Sequence, residues 1–295
     1  MFDPSNGTPT LFTINEPAPQ LSKVGGEIIL GDARKELAKF RDGIFQVCIT
    51  SPPYWGLRDY GITSQIGAES DVRDYIGALV QVFREVKRTL SDDGCLWLNI
   101  GDSYTSGNRT WRDSDRKNEA RGMDYRPPTP QGLKPKDLVG VPWRLAFALQ
   151  EDGWYLRSDV IWYKPNAQPE SVKDRPTRSH EYLFLMTKSE KYFYDYEAVQ
   201  EIGTNGSPRN RRSVWHINTE PYKEAHFATF PAALVAMCLR ASSKNDSIVL
   251  DPFFGSGTVG AVCKSYGRRF VGIELKREYC QMAQRRLQSS KSPLP

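Results

Sequence analysis

The sequence is poor in histidine, with three in 295 residues, and its five cysteines never fall in a CxxC pair. Ligands this few, at such irregular spacing, argue against a zinc site. An odd set of thiols, several of them inside apolar runs, reads as buried free cysteines of a reducing compartment and not as a disulfide framework. Long apolar runs are missing as well. Nothing approaches the roughly 18 residues that a membrane span requires, and the opening MFDPSNGTPTLF lacks the basic start and apolar stretch of a secretory signal. Excess charge is slight, at a formal +5, a balance compatible with nucleic acid but no strong argument for it. The chain is read as a soluble cytoplasmic protein, and with 39% hydrophobic residues it can bury a substantial core.

What is present is a rhythm. Residues 1–24 are polar and Pro-rich and are expected to form an N-terminal arm. Short apolar runs follow, each ending at a turn signal. Residues 27–30 stop at Gly31-Asp32, 47–50 at Ser51-Pro52-Pro53, 95–100 at Gly101-Asp102, and 159–163 at Lys164-Pro165. Residues 181–186 stop at Thr187-Lys188, 247–250 at Asp251-Pro252, and 269–273 at Glu274. Continuous apolar runs of this length suit strands buried on both faces. Between them, apolar residues recur at helical spacing over 74–90 (Tyr75, Leu79, Val82, Phe83, Val86, Leu90), 142–150, 230–241, 257–266 and 278–287. Strands alternating with helices predict an α/β fold with a mostly parallel sheet, organised as one domain over 25–290. Two polar stretches, 103–136 and 201–224, break the rhythm and read as long functional loops inserted in it.

The run Val249-Leu250-Asp251-Pro252-Phe253-Phe254-Gly255-Ser256-Gly257-Thr258 is a strand entering a Gly-rich turn and then a helix. Gly255 and Gly257 let the backbone approach a ligand closely, at the carboxyl end of a strand, where open α/β sheets bind ligands. No lysine stands where a phosphate loop needs one, which disfavours a nucleoside triphosphate. Asp251 suits a cationic group such as the amino group of an amino acid. Glu274, ending the next strand, is placed to accept hydrogen bonds from two ribose hydroxyls. Together they ask for an adenosine that carries an amino acid, and S-adenosyl-L-methionine is such a molecule. The glycine pair alone also fits an ordinary strand–turn–helix.

Ser51-Pro52-Pro53-Tyr54 directly follows a buried strand. Ser and Pro are ordinary turn residues, yet two prolines and an aromatic also stiffen the backbone and hold a ring at the ligand edge. The exocyclic amino nitrogen of cytosine or adenine is a poor nucleophile, because its lone pair is delocalised into the ring. The Ser51 hydroxyl and the Pro52 carbonyl can accept both hydrogens of that amino group, the carbonyl being aimed by the fixed φ of proline. This draws the nitrogen toward tetrahedral geometry and exposes its lone pair. Tyr54 can stack on a base flipped out of a duplex, and nitrogen, methyl carbon and sulfur must lie nearly in line.

DPFFGSGT followed by FVGIEL resembles the cofactor motif of amino-group DNA methyltransferases. SPPY resembles that family's catalytic motif, an Asp, Asn or Ser followed by two prolines and an aromatic. The resemblance covers roughly residues 27–290 and is strongest at 48–56 and 249–275. It implies a Rossmann-like methyltransferase fold with helices on both faces of the sheet, S-adenosyl-L-methionine as cofactor, and double-stranded DNA as partner. Catalytic motif first and cofactor motif last is the permuted order of the family's beta group. The catalytic residues implied are Ser51, Pro52, Pro53 and Tyr54. The cofactor residues are Asp32, Phe227, Pro231, Asp251, Phe253, Gly255, Gly257, Thr258 and Glu274, with His226 to Pro231 resembling a family segment that lines the cofactor pocket. Residues 96–102 resemble the strand that walls the target-base pocket, with Trp97 read as core; for Trp55, packing and pocket readings both stand. Lys164-Pro165 and Arg178-Ser179-His180-Glu181 resemble segments near the flipped base, and His180 is singled out there.

A serine in first position resembles the N4-cytosine branch, with N6-adenine as the alternative. For reading DNA, the loop 103–136 carries Arg109, Arg112, Arg116, Lys117, Arg121 and Arg126 interleaved with Trp111 and Tyr125, and the loop 201–224 carries Arg209, Arg211 and Arg212. A cognate restriction endonuclease and a homodimer stay open. Two rivals remain. One is a methyltransferase of RNA amines or protein amides, whose relatives usually place the cofactor motif first. The other is a DNA-binding protein that has lost catalysis, against which the intact Asp251, Gly255, Gly257, Glu274 and SPPY speak.

Overall fold

A computed structural model describes residues 11–12, 25–57, 62, 65–106, 127–220 and 230–289. In chain order its elements are β1 (Leu11–Phe12), β2 (Gly26–Leu30), α1 (Ala33–Leu37), β3 (Phe45–Thr50), α2 (Val72–Thr89), β4 (Leu90–Ile100), α3 (Val141–Glu151), β5 (Tyr155–Tyr163) and β6 (His180–Thr187). They continue with β7 (Glu201–Ile202), β8 (Pro208–Arg209), β9 (Val214–His216), α4 (Ala232–Ser242), β10 (Ile248–Asp251), α5 (Thr258–Ser265), β11 (Arg269–Glu274) and α6 (Arg277–Ser289). One large sheet runs β1-β2-β11-β10-β3-β4-β6-β5-β9. Its pairs from β1 to β4 are parallel, β6 is antiparallel to both β4 and β5, and β9 is parallel to β5. The expected mostly parallel α/β sheet is therefore present.

The apolar runs form strands because both sheet faces are covered. Along β4, Leu96, Leu98 and Ile100 enter a core shared with α1, α2 and α3, while Cys95 and Trp97 enter a second core shared with α4, α5 and α6. Cys48 of β3 and Leu250 of β10 belong to the first core, and Val47, Ile49 and Val249 to the second. All five cysteines are buried and free. Helix α2 shows how the pattern works locally. Asp71 caps it by accepting a hydrogen bond from the Arg73 N–H, and Tyr75, Leu79, Val82, Phe83 and Val86 form its buried stripe. Among the described residues no helix is long and apolar enough to cross a membrane.

Three local expectations differ from the structure. Strand β4 begins at Leu90, ahead of its apolar run. Strand β5 extends back to Tyr155 and alternates exposed with half-buried residues over its first half, because only the short β9 lies outside it. The stretch 201–224 is not all loop: β7 and β8 pair with each other, and β9 joins the main sheet, where the Trp215 ring packs 5.7 Å from Trp97. Residues 107–126 and 221–229 lie outside the described residues, and Arg109, Arg112, Arg116, Arg121 and Phe227 with them.

This topology creates a cleft. From β10 the chain passes through α5, on one face, to β11. From β3 it passes through α2, on the other face, to β4. The carboxyl ends of adjacent β3 and β10 therefore face a gap from which the connections diverge, the position where open α/β sheets hold ligands.

Candidate active site

A cavity of about 370 Å³ opens in that gap. Its walls come from Gly31 and Asp32 after β2, Ser51 to Tyr54 after β3, Asp251 to Ser256 after β10 and Ile273 to Lys276 at the end of β11, with Asn99, Trp162, Lys164 and Glu181 closing one side. Two motifs separated by two hundred residues of sequence thus share a single cavity. Their closest link is a hydrogen bond of 2.6 Å from the Thr50 hydroxyl to Asp251 Oδ1.

At one end the chemistry is acidic and short-range. Asp251 Oδ1 also accepts from the Phe253 N–H at 3.1 Å. Burial pushes its carboxyl up to about 7, against the opposing pull of the Thr50 and Phe253 hydrogen bonds. Glu274 accepts from the Gly255 N–H and the Lys276 N–H, each at 2.8 Å, and burial again raises it to about 7. Asp32 behaves differently. Burial acts to raise it, but hydrogen bonds and charge from Arg34 prevail and leave it lowered. Gly255 has φ +52, and a Cβ built there meets only the Phe253 carbonyl oxygen, at 3.9 Å. Its missing side chain leaves an open cradle above the turn. Beneath it, the stacked rings of Phe254 and Phe270, 5.5 Å apart, fit against Gly272, where an added Cβ would fall 2.3 Å from the Phe254 ring.

The other end is assembled from side chains of separate strands. Ser51 Oγ donates to Tyr54 Oη at 3.4 Å, and Tyr54 Oη donates to Glu181 Oε2 at 2.7 Å. Asn99 Nδ2 donates to the same oxygen at 3.2 Å. Lys164 Nζ donates to Glu181 Oε1 at 2.5 Å and stands 4.2 Å over the Trp162 ring. Burial, with the Glu181 charge beside it, raises the Tyr54 phenol well above the usual tyrosine range, so it stays neutral. Gly101 makes room for that ring, since a Cβ there would lie 2.7 Å from Tyr54 Cε2. The Tyr75 hydroxyl pins the double-proline turn through the Pro53 carbonyl at 2.8 Å. Among the described residues no donor is found on the Pro52 carbonyl, which stays available as an acceptor.

The structure thus gathers Asp32, Ser51, Pro52, Pro53, Tyr54, Asp251, Phe253, Gly255, Thr258 and Glu274 around one cavity. Pro231 precedes α4 and does not line it; its neighbour Phe230 does. Gly257 also lies off the wall. Its φ of +78 and its approach to Ala283, 2.8 Å from a built Cβ, make it a packing glycine between α5 and α6. Trp55 packs: it is buried and its Nε1 donates to the Glu69 carbonyl at 2.9 Å. Trp97 is core. His180 pairs with Tyr163 in the sheet and packs edge-on against Tyr182. It is the adjacent Glu181 that lines the cavity. Arg209 is held by Glu201 at 2.8 Å and Arg211 by the Val199 carbonyl at 2.9 Å, whereas Arg212 is exposed. Reading the sequence did not select Asn99, Lys164 or Glu181 as site residues. A lone amide inside an apolar strand was the available signal for Asn99.

Known proteins can now be set beside this geometry. A sequence model described as DNA methylase, named for N6 and N4 transfer, matches residues 45–285. The chain is 62% identical over 279 residues to the type II methyltransferase M.SmaI of Serratia marcescens, covering 94% of this chain and 96% of that protein. It is 62% identical to the type II methyltransferase M.Cfr9I of Citrobacter freundii, covering 90% and 88%. Among solved structures, the PvuII DNA methyltransferase (cytosine-N4-specific) superposes with a TM-score of 0.67 at 19% identity, over 94% of this chain and 97% of that one. The M1.HpyAVI–SAM complex superposes with a TM-score of 0.58 at 18% identity, over 89% and 99%.

Proposed function

This chain belongs to the DNA methylase family of N6 and N4 amino-group enzymes, and from that premise we propose that it methylates the exocyclic N4 of cytosine within a specific duplex sequence, using S-adenosyl-L-methionine. The observation that carries the proposal is the shared cavity, in which Ser51 to Tyr54 and Asp251 to Glu274 meet. The cofactor supplies the methyl group on a positively charged sulfur. The residues fit it. Two buried carboxyls raised to about 7 suit a ligand bearing a cationic amino group and a ribose diol, and the Gly255 cradle admits its backbone closely.

In this reading Asp251 holds the amino group and Glu274 the ribose hydroxyls, while Phe253 and Asp32 flank the adenosine. Ser51 Oγ and the Pro52 carbonyl accept the two amino hydrogens of a flipped base, and Tyr54, fixed by Glu181, supplies the stacking face. Serine at position 51 supports cytosine, as does the specificity printed for the PvuII enzyme of the same fold. The type II relatives support a restriction-modification setting in the cytoplasm, with duplex DNA as substrate and a cognate endonuclease or homodimer as further partners. Residues 25–290 act as one catalytic domain. Exposed Arg212, together with residues 107–128, forms the DNA face.

Transfer of labelled methyl to duplex DNA, followed by mass spectrometry of the nucleosides, tests the proposal. N4-methylcytosine is the expected product. N6-methyladenine replaces the base assignment, and absence of label in any DNA despite cofactor binding defeats the activity. Deleting residues 107–128 is expected to abolish site-specific methylation; unchanged methylation removes that segment from the DNA face.

A further inference from the structure

Methyl transfer leaves a proton to be disposed of, and a serine hydroxyl cannot store one. The hydrogen bonds at the base end of the cavity have a direction. Ser51 Oγ donates to Tyr54 Oη at 3.4 Å, and Tyr54 Oη donates onward to Glu181 Oε2 at 2.7 Å. The chain ends on a carboxylate whose other oxygen is held by the Lys164 ammonium at 2.5 Å. We propose that Ser51, Tyr54 and Glu181 form a proton relay that carries the amino proton away from the base, with Glu181 as terminal acceptor. The inference rests on the reading that Ser51 to Tyr54 receive a base amino group, and it holds for cytosine or adenine alike.

The step balances. The amino nitrogen forms its bond to the methyl carbon as the carbon–sulfur bond breaks, and that electron pair stays on sulfur. One proton passes from the nitrogen to Ser51 Oγ, the serine proton to Tyr54 Oη, and the tyrosine proton to Glu181. The positive charge lost at sulfur is matched by the negative charge lost at Glu181, and the product amine is neutral. Tyr54 suits the middle place, because a buried neutral phenol both accepts and donates, whereas a phenolate would trap the proton. The carboxylate is only 16% exposed, so it takes a proton without a solvent shell to compete. Lys164 remains charged beside the protonated acid and favours its release, which resets the site. The groups facing Glu181 are Tyr54 after β3, Asn99 of β4, Lys164 after β5 and, on its own strand, His180, which burial and the Arg178 and Lys164 charges hold below its usual range.

The test uses the full-length protein, saturating S-adenosyl-L-methionine and duplex DNA carrying its methylation site, in single-turnover transfer in H2O and D2O. Tyr54→Phe keeps the ring and cuts the relay, and Glu181→Gln removes the acceptor. Each is expected to slow transfer by about 100-fold, the low end for a lost proton-transfer group. The solvent isotope effect of the wild-type chain disappears in both, and Glu181→Asp restores part of the rate together with the effect. Calorimetry of cofactor binding gives a readout apart from turnover, and both variants bind as wild type does. Equal wild-type rates in H2O and D2O, or an isotope effect retained in Tyr54→Phe, overturn the relay. If wild-type protein binds cofactor and DNA yet leaves no methyl on any base, the functional reading itself has failed.

Discussion

The two ends of the cavity are built by opposite strategies. At the cofactor end, Asp251, Gly255 and Glu274 lie within one strand–turn–helix–strand unit, and the hydrogen bonds that hold the carboxylates come largely from backbone N–H groups of the same segments. At the base end, Ser51, Tyr54, Asn99, Lys164 and Glu181 arrive from four strand ends and hold one another by side chains. The first end is a local device that works wherever such a unit folds. The second exists only once β3, β4, β5 and β6 lie side by side. A local device suits a ligand of constant structure, while an assembled one can be changed by single residues to suit a different base.

Substitutions can separate the two ends. The largest effect is expected from Ser51→Ala, which removes an acceptor at the reacting nitrogen. Turnover falls by about 100-fold or more while calorimetric cofactor affinity stays close to wild type. A Ser51→Ala protein that methylates at full rate erases the distinction between the ends. Gly272→Ala tests how rigid the local device is. Its Cβ would collide with the Phe254 ring under the glycine turn, and urea unfolding should show a loss of about 1–3 kcal/mol.

The acidic pair makes the cofactor end sensitive to pH. In the free protein Asp251 and Glu274 titrate at about 7, above their ordinary values of 3.8 and 4.5. Between those ordinary values and about 7 the folded chain holds more protons than the unfolded one, so their contribution to free-protein stability is lost as pH rises through that window. A cationic ligand needs the ionised carboxyls, so its affinity moves the other way. Calorimetry should show cofactor affinity falling about tenfold between pH 8 and pH 6 for each carboxyl that must ionise. Thr50→Val deletes a hydrogen bond that lowers Asp251, and the limb should move to higher pH. A pH-independent affinity removes the acidic pair from cofactor binding. The smallest effect belongs to exposed Arg212. Arg212→Ala should weaken DNA binding by about two- to threefold with a shallower salt dependence, as for loss of one phosphate contact.

Much was legible in the sequence. Apolar runs ending at Gly31-Asp32, Ser51-Pro52 and Asp251-Pro252 became strands because a strand buried on both faces must be apolar throughout, and the turn that ends it must be polar or glycine-rich. The cofactor turn could be read because its parts are neighbours along the chain. Other readings missed by a residue or two for physical reasons. Side chains alternate across a strand, so Glu181 and not His180 reaches the cavity. Gly257 looked like a ligand glycine, but helix α6 lies against it. Arg209 and Arg211 looked like free cations until Glu201 and the Val199 carbonyl were seen beside them.

The sequence by itself determined the alternation of strands and helices, the glycine turn with its two acids, and the stiff Ser-Pro-Pro-Tyr corner, because each depends on residues close together along the chain. Only the tertiary structure decided that the corner and the turn share one cavity, that Thr50 touches Asp251, and that Tyr54 is tied to Glu181. Those contacts depend on strand order, and the order β10-β3-β4-β6-β5 is set by how both faces of the whole sheet are covered, which no short stretch of sequence encodes.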